Sequence, residues 1–295
     1  MKILITGVSG FIGSQLLKTV SARYGLDNII VFSSQPHPDY NCIQYNEKYS
    51  ILDKDVVKLS DVDVIFHAGA FTPKNRYQID DVNGCNSNIE FTKTLFSQPF
   101  QKLKKVLYLS TLDVYGVKDI ITEDSILEPS SLYAWSKVYC EKMIQSYCTH
   151  QQLQCQILRV GHVYGPGEDI YEKLLPIAIH NILNGKPIEI WGDGSEIRSY
   201  IYIDDVIEAC VNAIELSDNV GVINIVGGNP ISILDLVKKI AEIEGVSLNL
   251  NYHSASVIRK NYSFDNTKMK RYLLKNEIDF DVGLEAEINH VKELS

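Results

Sequence analysis

Ile3-Leu4-Ile5-Thr6-Gly7-Val8-Ser9-Gly10-Phe11-Ile12-Gly13 reads as a short apolar strand, three glycines at even spacing, and then a helical pattern from Ser14 to about Tyr24. Strand, glycine loop and helix in that order give the glycines tasks. They permit a tight turn, close approach of backbone to a pyrophosphate, and tight contact between helix and strand, with the helix N-terminus facing the phosphates. The spacing is G-x-x-G-x-x-G and not G-x-G-x-x-G, so the context carries more of the assignment than the letters do. Further apolar strands at Asn28–Phe32, Asp63–His67 and Val106–Ser110 alternate with helical segments, one of which opens near Asn88. Together they predict an α/β fold, a doubly wound parallel sheet of the Rossmann type.

Outward from the glycine loop, the second strand ends in Ser33-Ser34-Gln35. A site for NAD usually carries an acid there, for the adenine ribose hydroxyls. None is present, and two hydroxyls suit a 2′-phosphate, so the reading favours NADP over NAD. The third strand runs from Asp63 through His67 into Ala68-Gly69-Ala70, small residues that let a loop lie against a cofactor, with His67 read as structural. The strand at Val106–Ser110 delivers Ser110-Thr111-Leu112-Asp113-Val114-Tyr115-Gly116 at its C-terminal end, where open α/β sheets bind ligands.

Pro129-Ser130-Ser131 then caps a helix that runs without Gly or Pro to about Tyr147. Tyr133 and Lys137 stand four residues apart on one face of it, and an ammonium beside a phenol favours the phenolate, a usable acid or base near neutral pH. Leu132, Trp135, Tyr139 and Met143 form an apolar stripe roughly opposite. That stripe predicts a second partner, either the chain's own lobe or another copy, and a homodimer through this helix is the reading taken.

Composition excludes other classes. The 295 residues are 45% apolar and 22% charged, ordinary globular material, and the net charge of −9 with scattered basic residues offers no footprint for nucleic acid or an anionic membrane. No apolar run reaches the ~20 residues that span a bilayer. Lys2 to Ile5 leads straight into Gly7 and polar residues, which is not a signal peptide. Six cysteines without C-x-x-C or metal-ligand spacing read as reduced residues of a cytoplasmic protein that binds no metal.

Gly7/Gly10/Gly13, Asp63…His67-Ala68-Gly69-Ala70, Ser110-Thr111…Val114-Tyr115-Gly116 and Tyr133-x-x-x-Lys137 occur in the order and spacing of the extended short-chain dehydrogenase/reductase family. The chain resembles that family's nucleotide-sugar epimerases, dehydratases and ketoreductases more narrowly. Leu158-Arg159…Val163-Tyr164-Gly165-Pro166-Gly167, Gly192-Asp193-Gly194 with Arg198-Ser199-Tyr200, Ile203-Asp204-Asp205-Val206 and Asn224–Gly228 extend the likeness to about residue 245. The resemblance implies Tyr133 as general acid/base, Lys137 on the nicotinamide ribose and Thr111 on the substrate oxygen. It places Gly7, Gly10, Phe11, Ile12, Gly13, Ser33, Ser34, Ile51, Ala68, Gly69, Ala70, Asn88, Ser110, Tyr133 and Lys137 around the cofactor. It gives Thr111, Leu112, Asp113, His162 and Arg198 to a nucleotide-diphosphate sugar. Leu112 stands where the dehydratases place an Asp, which argues against 4,6-dehydration; His162 and Ser199 also depart from the family's pattern.

The resulting expectation is a dinucleotide-binding domain of residues 1–164 plus about 190–224, with a smaller, discontinuous α/β substrate lobe of about 165–189 plus 225–295. The activity expected is hydride transfer at a hexose carbon, C4. The leading reading is a 4-ketoreductase of an NDP-4-keto-6-deoxyhexose and the alternative a 4-epimerase of the UDP-glucose type. The distant third is a non-catalytic, redox-sensing NAD(P) binder.

Overall fold

The computed structural model describes residues 1–46, 49–51, 53–116, 118, 120–254 and 263–294; residues 255–262 of the expected lobe lie outside the described residues. The first half alternates strand and helix. It comprises β1 (Ile3–Thr6), α1 (Phe11–Tyr24), β2 (Ile29–Ser33), β3 (Asn41–Gln44), α2 (Asp53–Leu59), β4 (Val64–His67), α3 (Val82–Phe96), β5 (Lys105–Thr111), α4 (Leu132–Gln151) and β6 (Gln154–Val160). The second half contains β7 (His162–Tyr164), α5 (Leu174–Leu183), β8 (Ile188–Trp191), β9 (Ile197–Tyr202), α6 (Ile203–Glu215), β10 (Val222–Ile225), β11 (Pro230–Ser232), α7 (Ile233–Glu244), β12 (Leu250–His253), α8 (Thr267–Tyr272) and α9 (Phe280–Leu294).

Seven strands form one parallel sheet in the order β10-β6-β5-β4-β1-β2-β3. The strand order reverses at β1 and β4, so the crevice for a ligand opens above the C-terminal ends of those strands. Every residue of β1, β2, β4 and β5 is buried, as befits parallel strands covered on both faces. One large apolar core joins the α1 and α6 side of the sheet to α5, α7 and α9, and a second lies under α3 and α4. The two smaller sheets are β11-β9-β7 and β12-β8.

Helix boundaries follow their caps. Ser131 Oγ accepts the amide of Ala134 at 3.2 Å and starts α4 at the predicted cap. Helix α3 begins at Val82 and not near Asn88. Asp81 is its N-cap and accepts the amides of Asn83 and Gly84 at 3.0 and 3.1 Å. That single carboxylate offsets the poor helix propensity of Asn83, Gly84, Asn86 and Ser87.

Candidate active site

The glycine cradle is closed to larger residues. Gly7 has φ of +76°, and a Cβ there would lie 2.6 Å from the Ala68 carbonyl carbon; a Cβ on Gly13 would lie 2.0 Å from Gly7 O. The first turn of α1 is thus packed against the β1 loop with no space for side chains. Gly10 caps α1 without a side-chain hydrogen bond, so the amides around Phe11 and Ile12 stay available to an anion. These features fit the pyrophosphate of a dinucleotide.

Behind the cradle, polar groups hand hydrogen bonds along a buried chain. The Gly69 amide donates to Thr6 Oγ1 at 2.8 Å, Thr6 meets His67 Nδ1 at 2.8 Å, and His67 Nε2 meets Thr92 Oγ1 at 3.0 Å. Thr92 continues to Cys140 Sγ on α4, which donates to Asn88 O. Thr92 spends its proton on Cys140 Sγ and so accepts from His67 Nε2–H, which leaves Nδ1 to accept the Thr6 hydroxyl proton. Burial, and then the Lys137 charge, push the imidazole down to about 3; it stays neutral and structural, as the sequence reading has it.

Asn88 uses its amide on protein partners. Oδ1 accepts the Phe71 amide at 2.6 Å, while Nδ2 donates to Phe71 O and to Ser136 Oγ. It ties the Ala68–Phe71 loop to α4. Ile51 bridges to Tyr45 near the ends of β2 and β3. Ser33 Oγ accepts the Gln35 amide at 3.1 Å, and Ser34 meets the Tyr45 hydroxyl.

The three candidate catalytic residues gather at the mouth of β5. Tyr133, Lys137 and Thr111 are all buried. The Lys137 ammonium donates to Leu109 O at 2.7 Å and lies 4.4 Å over the Tyr108 ring; burial pulls it down to about 8. The phenolate expected at Tyr133 is corrected. Burial first, and the Asp113 carboxylate second, raise its phenol well above the ordinary value, and a hydrogen bond with Thr72 only partly offsets them. The Lys137 ammonium is turned to Leu109 O and the Tyr108 ring. Thr111 also caps the short turn that follows β5, accepting the Asp113 amide at 3.2 Å and donating to Asp113 Oδ2 at 3.0 Å.

The Leu112 side chain is buried in a small core with Val114, Tyr115, Ile121, Val226 and Phe264. His162 and Arg198 come together on the paired strands β7 and β9. Burial, then the charges of Arg198 and Lys173, push the His162 imidazole down to about 3. The Arg198 guanidinium pairs with Glu196.

Sequence reasoning missed the groups that hold this mouth in place. Glu141, one turn beyond Lys137 on α4, accepts Ser110 Oγ at 2.5 Å and takes Arg159 in a two-pronged ion pair at 3.0 and 2.7 Å. Arg159 also donates to Tyr115 Oη at 2.6 Å, which donates to Asn224 Oδ1 at 2.8 Å. The i, i+4 step from Lys137 to Glu141 was the available signal.

A cradle for a dinucleotide, with a buried tyrosine and lysine on one helix at the C-terminal end of a parallel sheet, defines the class: an extended short-chain dehydrogenase/reductase. More narrowly, the chain belongs to the NAD dependent epimerase/dehydratase family, whose model matches residues 3–226. It is 32% identical over 269 residues to dTDP-D-glucose 4,6-dehydratase of Dictyostelium discoideum, covering 82% of this chain and 62% of that one. The chain thus spans less than two thirds of that relative's length. The low-salt glycan biosynthesis protein Agl12 of Haloferax volcanii is 28% identical across 98% of both chains. Among solved structures, a variant of UDP-glucuronic acid 4-epimerase from Bacillus cereus, with UDP-4-deoxy-4-fluoro-glucuronic acid and NAD, superposes with a TM-score of 0.85 at 29% identity over the whole of both chains. Among the described residues no helix is long and apolar enough to cross a membrane.

Proposed function

We propose that this chain transfers hydride at C4 of a nucleotide-diphosphate hexose and works as a 4-epimerase, with the sugar nucleotide under the lobe of residues 165–189 and 225–295. The observation that carries this reading is the mouth of β5. Tyr133 and Thr111 supply two hydroxyls for one substrate oxygen, while Leu112 is buried where elimination of water needs a proton donor. The B. cereus 4-epimerase fold, matched end to end, supports it. Bound NAD supplies a reversible hydride acceptor. The backbone of Gly7 to Gly13 and the Ala68–Ala70 loop hold it, with Ser33, Ser34 and Ile51 toward the adenosine and Lys137 toward the nicotinamide ribose. Tyr133 gives its proton to the C4 oxygen when a ketone is reduced, and the phenolate so formed takes the proton of the C4 hydroxyl in the opposite direction.

A 4-ketoreductase using NADP is the second reading. It is favoured by Ser33-Ser34-Gln35, where no carboxylate repels a 2′-phosphate. Acid release of the co-purifying dinucleotide, followed by NADH and NADPH titration, separates the two: retained NAD+ with no net consumption belongs to the epimerase, an empty site selective for NADPH to the reductase. Tyr133→Phe is expected to lower kcat by about a thousandfold with dinucleotide binding kept. A redox-sensing binder would keep its cofactor response and have no turnover to lose.

The second face of α4 supports a homodimer. Leu132, Trp135 and Tyr139 are 42%, 56% and 57% exposed, and with Val82, Cys85 and Ile89 they line a groove of about 520 Å³ between α3 and α4. An apolar seam on two adjacent helices suits a two-fold copy of itself. Trp135→Ser is expected to convert a sedimenting dimer to monomer. Four of the six cysteines are buried as small apolar side chains, which supports a cytoplasmic setting.

A further inference from the structure

Two loops frame the space between the glycine cradle and Tyr133. The first follows β4. Its Phe71 amide donates to Asn88 Oδ1 at 2.6 Å and its Lys74 amide to Gln78 Oε1 at 2.8 Å. Further on, Asp80 Oδ1 and Ile79 O accept the Leu132 and Tyr133 amides at 2.8 and 3.0 Å. This loop is thus rooted on α3 and on the N-terminus of α4. The second loop, residues 165–173, leans on the N-terminus of α1. Gln15 Nε2 donates to Pro166 O at 3.1 Å, the Tyr171 and Phe11 rings meet edge to face at 6.4 Å, and the Lys173 ammonium donates to Val163 O and Glu168. The two loops meet where the amide of Glu172 donates to Lys74 O at 2.8 Å, both residues being exposed. Among the described residues no side-chain hydrogen bond or ion pair joins one loop to the other.

We infer that the Lys74–Glu172 tie is a strap that closes over the bound dinucleotide and retains it through the reaction cycle. Phe11 opens α1 at the cradle, and Tyr133 is the second residue of α4. A tie between a loop seated on Phe11 and a loop seated on Tyr133 therefore crosses the path along which a dinucleotide runs from pyrophosphate to nicotinamide. A lone backbone hydrogen bond between exposed residues is weak, so the strap can part to load the dinucleotide and still slow its loss. The inference rests on the hydride-transfer reading and deepens it. An epimerase returns the hydride it takes and needs its dinucleotide held, whereas a reductase exchanges it at every turnover. The strap favours the first.

Glu172 allows the tie to be removed alone. The Lys173 amide donates to Tyr171 O at 2.8 Å, which makes Glu172 the centre of a three-residue turn, and its φ is not among the positive values of the chain. A negative φ in such a turn lies near the value that proline fixes. Tyr171 is extended, at φ −112° and ψ 138°, as the residue before a proline prefers. Glu172→Pro therefore deletes the donor and keeps the turn. The test loads each protein with NADH, adds excess NAD+ and follows nicotinamide fluorescence as NADH leaves. Glu172→Pro is expected to release NADH about three- to tenfold faster than the parent. Glu172→Ala, which keeps the amide, should release it at the parent rate. Lys74→Cys with Glu172→Cys, oxidised by glutathione disulfide after loading, should slow release by about tenfold or more, and dithiothreitol should restore it. Release from Glu172→Pro at the parent rate, or from the cross-linked pair as fast as from the reduced pair, overturns the strap and leaves the hydride-transfer reading standing. A pair that does not oxidise shows that the loops stay apart and overturns it too. Should Glu172→Pro fail to fold, the cysteine pair decides. A parent that binds no NADH overturns both the strap and the hydride-transfer reading.

Discussion

Glu141 on α4 and Glu287 on α9 are the same residue at the same depth, each with no solvent exposure, and the chain treats them in opposite ways. Glu141 has a partner for each oxygen, with Ser110 and the forked guanidinium of Arg159 around it. Glu287 has no hydrogen-bond partner for either oxygen among the described residues. Burial, then the like charges of Glu168 and Asp169, push it up to about 8, and Lys173 only partly compensates. The first carboxylate is ion-paired and tied to Ser110 at the end of β5; the second is a buried acid that its surroundings keep protonated. Identical burial therefore says nothing about role. What decides is whether the surroundings supply donors.

The contrast breaks most visibly at Glu141. Glu141→Ala leaves the Arg159 charge buried with Tyr115 as its remaining hydrogen-bond partner in this network, and should cost about 3–5 kcal/mol of unfolding free energy. Urea denaturation monitored by circular dichroism measures it. A loss near zero would mean that Arg159 reaches water once its partner is gone.

At Glu287 the sign reverses. Its folded value lies above the ordinary 4.5, so the folded protein holds a proton that the unfolded chain releases. The associated stability is fully present below about pH 4.5 and is lost as pH rises through about 8. Glu287→Gln cannot titrate. Its advantage over the parent should grow from pH 5 to pH 8.5 and reach about 3 kcal/mol. An advantage that stays flat with pH would show that Glu287 is already ionised.

The two glutamates also mark how far the sequence could be read. The glycine loop, the strands and the Tyr133–Lys137 pair were legible because each is a local pattern: a run of apolar residues, a glycine at a turn, a step of four along a helix. Thr111 could be placed at a strand end, but a role for it came only through the family resemblance. The network of Glu141 was not, since its members lie 18, 44 and 109 residues apart along the chain and only the folded sheet brings them together. The same limit produced the wrong charge for Tyr133. Spacing placed an ammonium on the same helix face as the phenol, but burial depth and the direction in which Lys137 turns belong to the tertiary structure, and desolvation raises the phenol. The burial of Leu112 was equally hidden: it opens the short 3-10 turn after β5, and Gly161, whose Cβ would come within 2.8 Å of Leu112 Cδ1, leaves it room in the core.

The sharpest form of the comparison replaces the ion pair whole. Glu141→Met with Arg159→Met removes two buried charges together, and buried pairs exchanged for apolar residues of similar volume change stability little or raise it. Unfolding free energy should stay within about 1 kcal/mol of the parent. Turnover should still fall, by about tenfold, because Ser110 loses the carboxylate that fixes the residue before Thr111, and small displacements of a reacting group are costly. Chemical denaturation and steady-state kinetics on one preparation read both quantities. Stability kept with kcat reduced would assign Glu141 to positioning the mouth of β5. Stability and kcat both kept would make it, like Glu287, a carboxylate that the fold merely accommodates.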